Sequence, residues 1–278
     1  MVSTTQIKPS PVLQPFISCY ALREFNTGVT SMVQPMHAVQ EYYMTFFLKE
    51  KSCKVISESG YVKDGFSNSL TTLFTEPNGY SCWKGSYALM CVQFKANGFF
   101  AVFGVPQHEL INNIFALEGL LGNDSNMITE QLAECKGMYA MGNCLDHYFI
   151  KKLLHQKHNH YTNTIAHISN IILHEKGAVA LDGLAYHANM SIRTFQRRFL
   201  DEVGMSPKLY ARITRFHNAV DSKMLYPHKN FTAIAYENGY YDQAHFIKEC
   251  REFANKTPEE LFKFTPPPTE KYVAKVDY

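Results

Sequence analysis

The sequence predicts an α+β chain of more than one domain. Its N-terminal part is β-rich, a small antiparallel barrel or sandwich with helices behind it, and its C-terminal part is an all-α domain with two helix-turn-helix units. Three observations carry that reading. Residues 12–95 are short aromatic and β-branched runs broken by turn residues, the period turns helical after Asn97-Gly98, and between Leu181 and Phe264 one supersecondary pattern is written twice.

In the first part, residues 1–12 are polar and contain Pro9 and Pro11, which predicts a loose start. Strands are then expected near Ile17–Phe25, Glu41–Leu48, Lys54–Ser57, Gly60–Lys63, Ser69–Phe74, Ser81–Trp83 and Ala88–Lys95. Punctuation at Gly28, Pro35, Gly60, Gly65, Pro77, Gly79 and Gly85 agrees with that spacing. Helices are expected at Phe99–Phe103, Glu109–Phe115, Ser125–Cys135 and Met138–His155. The aromatics Tyr42, Tyr43, Phe46, Phe47, Trp83 and Tyr87 are candidates to fill the barrel, with lining of a ligand cavity as the alternative. The polar stretch 156–163 reads as a linker between a domain at 1–155 and one at 164–264, with a flexible tail at 265–278. A helix from about Thr164, packing on Ile165, Ile168, Ile171 and Ile172 and ended by Gly177, opens the second domain.

The repeat lies there. Leu184-Ala185-Tyr186 leads through Asn189 to Ser191, Phe195, Phe199, Gly204 and Ser206-Pro207; Ile234-Ala235-Tyr236 leads through Gly239 to Asp242, Phe246, Cys250, Asn255 and Thr257-Pro258. The offset grows from 50 to 51 inside the turn. Asn189 and Gly239 are the residue types that best tolerate positive φ, and Ser191 and Asp242 are N-caps. Gly204 and Asn255 close the second helices, Ser206-Pro207 and Thr257-Pro258 pair a cap with proline at the first helical position, and Thr257 with Glu260 forms a capping box.

The second helix of each unit carries the chemistry. In the first, Phe195 and Phe199 face inward while Arg193, Gln196 and Arg197 share an outer face. Arginine suits a bidentate pair with guanine and glutamine one with adenine, and Arg198, Lys208, Arg212 and Arg215 are placed to meet phosphates. In the second, Phe246, Cys250 and Phe253 face inward, leaving Gln243, Ala244, Ile247 and Lys248 outside. Between the units, Leu209, Ile213, Phe216, Val220 and Met224 trace one amphipathic helix from Pro207 to about Leu225. Its length of roughly 28 Å approaches the roughly 34 Å between successive major-groove faces on one side of a duplex.

These runs, with Gln196-Arg197-Arg198-Phe199, Gly239-Tyr240 and Asp242-Gln243-Ala244-His245-Phe246 among them, resemble the DNA-binding domain of AraC/XylS-family transcription regulators over about a hundred residues, from near Asn163 to Phe264. The resemblance implies a seven-helix domain that binds double-stranded promoter DNA, usually as an activator. It puts Arg193, Gln196 and Arg197, then Gln243, Ile247 and Lys248, where the family's recognition helices meet bases. Ala244, Cys250 and Asn255 depart from a frequent serine, phenylalanine and glycine. The strands followed by a helical pair resemble the cupin-like sensor domain that many such regulators carry in front. RNA polymerase, a small-molecule effector and a second copy of the chain are the further partners this implies.

Charge distribution agrees with a nucleic-acid partner. Residues 1–150 carry 9 Lys+Arg against 12 Asp+Glu, and residues 151–278 carry 18 against 13. Seven cysteines, odd in number and without a C-x-x-C pair, read as reduced thiols in a cytoplasmic protein. No run approaches the roughly 18 apolar residues of a membrane span. Neither His37 with Glu41 nor His155, His158, His160, His167 and His174 form a convincing ligand set, so no metal and no cofactor are expected. Without a phosphate-binding glycine loop, nucleophile elbow or paired carboxylates, the chain is not expected to be an enzyme. A ligand-binding barrel with an accessory helical domain, and a helical adaptor that does not bind DNA, stay open as other readings.

Overall fold

The computed structural model of the chain describes residues 2–49, 53–65, 67–156 and 164–263. The N-terminal region contributes ten strands: β1 Val2–Ile7, β2 Ile17–Asn26, β3 Met32–Pro35, β4 Tyr42–Lys49, β5 Lys54–Ile56, β6 Val62–Asp64, β7 Asn68–Thr71, β8 Tyr80–Trp83, β9 Ser86–Phe94 and β10 Ile114–Ala116. They form a six-stranded sheet, β1-β2-β9-β4-β7-β10, and a four-stranded sheet, β3-β8-β5-β6. Helices α1 Gly98–Phe103, α2 Leu117–Leu121, α3 Asp124–Glu134 and α4 Met138–His155 accompany them. This is the expected β-rich architecture backed by helices.

The faces of the large sheet differ. Tyr42, Met44 and Phe46 of β4 and Met90, Val92 and Phe94 of β9 pack with Phe99 of α1, Ile128 of α3, and Leu145 and Phe149 of α4. The residues between them, Phe47 of β4 with Tyr87, Leu89 and Cys91 of β9, form a second core with Phe25 and Trp83. Trp83 comes from the small sheet and meets Tyr87 edge-on at 5.1 Å. Period-2 alternation thus sends Tyr42 and Phe46 to one side and Phe47 to the other, each into a core, while Tyr43 is half-buried with its hydroxyl donating to Glu41.

Two expectations are corrected, and one strand was not foreseen. The start is a strand, because β1 pairs along its whole length with β2, from Val2 with Phe25 to Ile7 with Tyr20, and Pro9 and Pro11 lie beyond it. The segment Glu109–Phe115 is not a helix. A 3-10 turn at Gln107–Glu109 precedes Asn112, whose φ of +58° breaks helical continuation, and β10 then pairs with β7. Strand β3 was absent from the sequence reading; it ends in Pro35, which its edge position tolerates.

The C-terminal region is seven helices among the described residues: α5 Thr164–His174, α6 Leu181–His187, α7 Ile192–Val203, α8 Pro207–Leu225, α9 Phe231–Glu237, α10 Gln243–Ala254 and α11 Pro258–Lys263. The expected linker falls almost wholly, and the expected tail entirely, outside the described residues. Gly177 turns the chain between α5 and α6 with φ +78°, and a Cβ there would lie 2.1 Å from the Ala211 carbonyl oxygen of α8.

The two regions share a seam. The Ala38 N–H donates to the Phe253 carbonyl at 2.9 Å, and His217 Nε2 donates to the Ala38 carbonyl at 2.8 Å. Gly204 lets α7 approach so closely that a Cβ would be 3.2 Å from both the Gln107 carbonyl oxygen and the Tyr42 hydroxyl. Asn255 donates to Glu58 at 3.2 Å. Burial first, then the neighbouring His217 and Lys256, hold His37 at this seam down to about 4.

Gly177→Ala is expected to cost more than the roughly 1–2 kcal/mol of a left-handed residue, because backbone also blocks the Cβ. Urea unfolding checks this, and an unchanged midpoint contradicts it. His37 binds its proton less readily in the folded state than at its ordinary value of 6.5. Its contribution to stability is therefore present above about pH 6.5 and lost as pH falls toward 4. A pH series of thermal unfolding should show that loss reduced in His37→Gln, and identical series would contradict it.

Candidate nucleic-acid interface

Each helix-turn-helix unit is set by local chemistry. In the first, Asn189 takes φ +51°, and the Met190 N–H closes α6 on the Ala185 carbonyl at 3.1 Å. Ser191 Oγ then accepts the Thr194 N–H at 3.2 Å. In the second, Gly239 takes φ +77°, the Tyr240 N–H reaches the Ala235 carbonyl at 3.0 Å, and Asp242 accepts the His245 N–H at 2.7 Å. Asn230 caps α9 through the Ala233 N–H. Gly204 and Asn255 are both left-handed C-caps, and Thr257 with Glu260 exchanges the two bonds of a capping box.

Phe195 and Phe199 are fully buried under α7, as are Phe246, Cys250 and Phe253 under α10. Arg193, Gln196 and Arg197 are all exposed on the outer face of α7. On α10, Ala244 and Lys248 are exposed and Ile247 is half-buried. Gln243 is tied back to α9, its Oε1 accepting from Thr232 Oγ1 at 2.7 Å. Lys208 is exposed in the first turn of α8.

Arg198, Arg212 and Arg215 take a different arrangement from the phosphate-facing one expected. Arg198 pairs with the buried Glu202 of its own helix, Nη2 to Oε1 at 2.6 Å. Arg212 of α8 bridges to α10, with Nε 2.9 Å from Glu249 Oε1 and Nη2 2.6 Å from Glu252 Oε2. Arg215 reaches the same Glu249 oxygen at 3.2 Å and lies over the Tyr240 ring at 4.9 Å. His245 Nε2 is 3.6 Å from that Glu249 oxygen. Hydrogen bonding to Glu252 leads the influences that push Arg212 further up, so it stays charged.

Glu249 was not singled out from the sequence. It is 1% exposed, yet it sits three residues after Phe246 and four before Phe253, on the apolar stripe of α10. A carboxylate on that stripe is the signal that would have found it, since a buried charge requires partners. Between the units, the first half of α8, the Gly177–Leu184 segment and α10 enclose a groove of about 510 Å³, with Lys208, Arg212, Arg215 and His245 in its lining. Among the described residues no group of three or more metal-ligating side chains occurs, and no helix is long and apolar enough to cross a membrane.

Residues 184–263 match the family model of a helix-turn-helix domain. The C-terminal unit is an AraC-type helix-turn-helix domain. Residues 5–116 match a domain of unknown function, DUF6597. No curated protein matches the chain. Among solved structures, ToxT from Vibrio cholerae O395 is similar at 12% identity, covering 89% of this chain and 99% of that one with a TM-score of 0.46. ToxT from strain SCE256 with bound unsaturated fatty acid is similar at 12% identity over 90% and 97%, also at 0.46. A putative ethanolamine utilization protein from Salmonella typhimurium LT2 is similar over 34% of this chain and 68% of that one, at 12% identity and a TM-score of 0.22.

Within the AraC-type domain, Tyr241 and Arg251 are exposed beside the second unit's outer face, and neither was singled out from the sequence. Tyr241 is 85% exposed and is the residue that lengthens the second copy's turn. Glu249→Ala is expected to destabilise the domain on the order of 1.5–3 kcal/mol, the range for hydrogen bonds to charged groups, since Arg212 and Arg215 keep some access to water. Denaturant titration reads the loss, and a change below a few tenths would contradict the assigned role.

Proposed function

We propose that the chain is a sequence-specific transcription regulator, acting as an activator, that places α7 and α10 in adjacent major-groove segments of promoter DNA. The observation that carries this reading is the pair of matched helix-turn-helix units on one rigid connector, α8, whose 19 residues span roughly 28 Å. That length suits recognition helices one groove repeat apart, roughly 34 Å.

In this reading Arg193, Gln196 and Arg197 contact base edges from α7, and Lys248 works beside Ala244 and Ile247 on α10. Lys208 meets phosphate at the start of α8. Arg198, Arg212 and Arg215 act first as internal ties, and the groove along α8, lined by Lys208 and His245 beside Glu249 and its arginine partners, is where the sugar-phosphate backbone crosses between the two grooves. A small-molecule effector bound by the N-terminal region would reach the reader through the seam at Ala38, Gln107 and Gly204. RNA polymerase and a second copy of the chain belong to the same proposal, as partners of an activator. Such a protein works in the cytoplasm and catalyses no reaction.

Arg197→Ala is expected to cost about 1–3 kcal/mol on the preferred site and to relax preference at one base pair, whereas Lys208→Ala should weaken all duplexes alike and lower the salt slope by about one. Anisotropy titrations at several salt concentrations, on preferred and scrambled duplexes, separate the two. Equal losses on both duplexes for Arg197→Ala would remove it as a base reader.

A further inference from the structure

The outer faces of the two recognition helices differ in chemistry. On α7 the exposed set is Arg193, Gln196 and Arg197, all able to hydrogen-bond a base edge. On α10 the glutamine is held by Thr232, and the positions that follow on the same face are apolar, Ala244 and Ile247, one helical turn apart. Tyr241 stands 85% exposed immediately before the Asp242 cap. Its neighbour Tyr240 is 3% exposed and packed on Phe246 at 5.1 Å, so the segment leading into α10 is anchored.

An apolar pair has one natural counterpart in the major groove, the C5-methyl group of thymine, which no other base carries. We propose that the second helix-turn-helix unit reads thymine methyl groups through Ala244 and Ile247, with the Tyr241 hydroxyl on a flanking phosphate. This rests on the DNA-binding reading above and names what the second unit recognises. Recognition helices contact base edges near their N-terminal ends, and Ala244 and Ile247 are the second and fifth residues of α10. Both lie away from Phe246, Cys250 and Phe253, so the reading face and the packing face of the helix are separate. The two units then divide the work: hydrogen-bond readout of purines by the first, methyl readout by the second. Lys248, one turn beyond Ala244, adds charge without base identity.

The first arm of the test uses the unaltered protein. A site is selected from random duplexes with the full chain, and each thymine in it is replaced in turn by deoxyuridine, which pairs identically but lacks the methyl. Replacement at one or two positions of a single block is expected to weaken binding about fourfold each, the value of one buried methyl, with the other block indifferent. Ile247→Ala or Ala244→Gly should each abolish the penalty at one position, and circular dichroism confirms that both variants remain folded. Equal binding of thymine and deoxyuridine throughout, or a penalty that survives in both variants, would overturn the proposal. A site of two blocks without any methyl penalty refutes this inference alone, whereas no enriched site refutes the DNA-binding reading beneath it.

Discussion

The proposed reading of one duplex by two helices requires that their separation and mutual orientation be fixed, and the Glu249 carboxylate ties α10 to α8. It is buried between α8 and α10, where Arg212, Arg215 and His245 converge on a single oxygen. A buried carboxylate is costly unless paired and hydrogen-bonded, so a placement of α10 that lost these partners would be penalised. Rings reinforce the same contact, with Arg212 over Phe253 and Arg215 over Tyr240, each at 4.9 Å. The charge of Arg212 and Arg215 is thereby spent on holding α10 against α8.

The N-terminal region holds the same assembly from the other side. Its 3-10 turn packs against α7, while Ala38 bonds to both His217 of α8 and Phe253 of α10. Both helix-turn-helix units are therefore touched by one partner surface, with the outer faces of α7 and α10 left open. Under the proposed function, an event in the β-rich region would reach both units at once through this seam, without a contact to DNA.

Much of the reader was legible because its rules are local. Ser191, Ser206 and Asp242 cap as their types require, Asn189, Gly204, Gly239 and Asn255 take the left-handed conformations the turns demand, and α8 has the ends that proline and its apolar stripe imply. The β-rich region was legible in its rhythm but not at its margins. Strand β1 exists because β2 offers an edge, and β10 because β7 does, and neither partner is visible from the short segment itself. The ion pairs were hidden for the same reason. Helical spacing places Arg212 on a face, but Glu249 lies 37 residues away on another helix. The face of β4 that meets helices was likewise undecidable, since both of its faces are aromatic.

In the proposed function, one rigid element, α8, sets two readers at a fixed spacing. The most direct measurement takes the site selected by the full chain and inserts one to five base pairs between its two blocks, following affinity at near-physiological salt. A single inserted pair is expected to weaken binding already, and five to reduce it to what one block alone supports. Retention of full affinity across these insertions, or selection of a single block, would show that α8 and its Glu249 contact do not set the spacing of two readers.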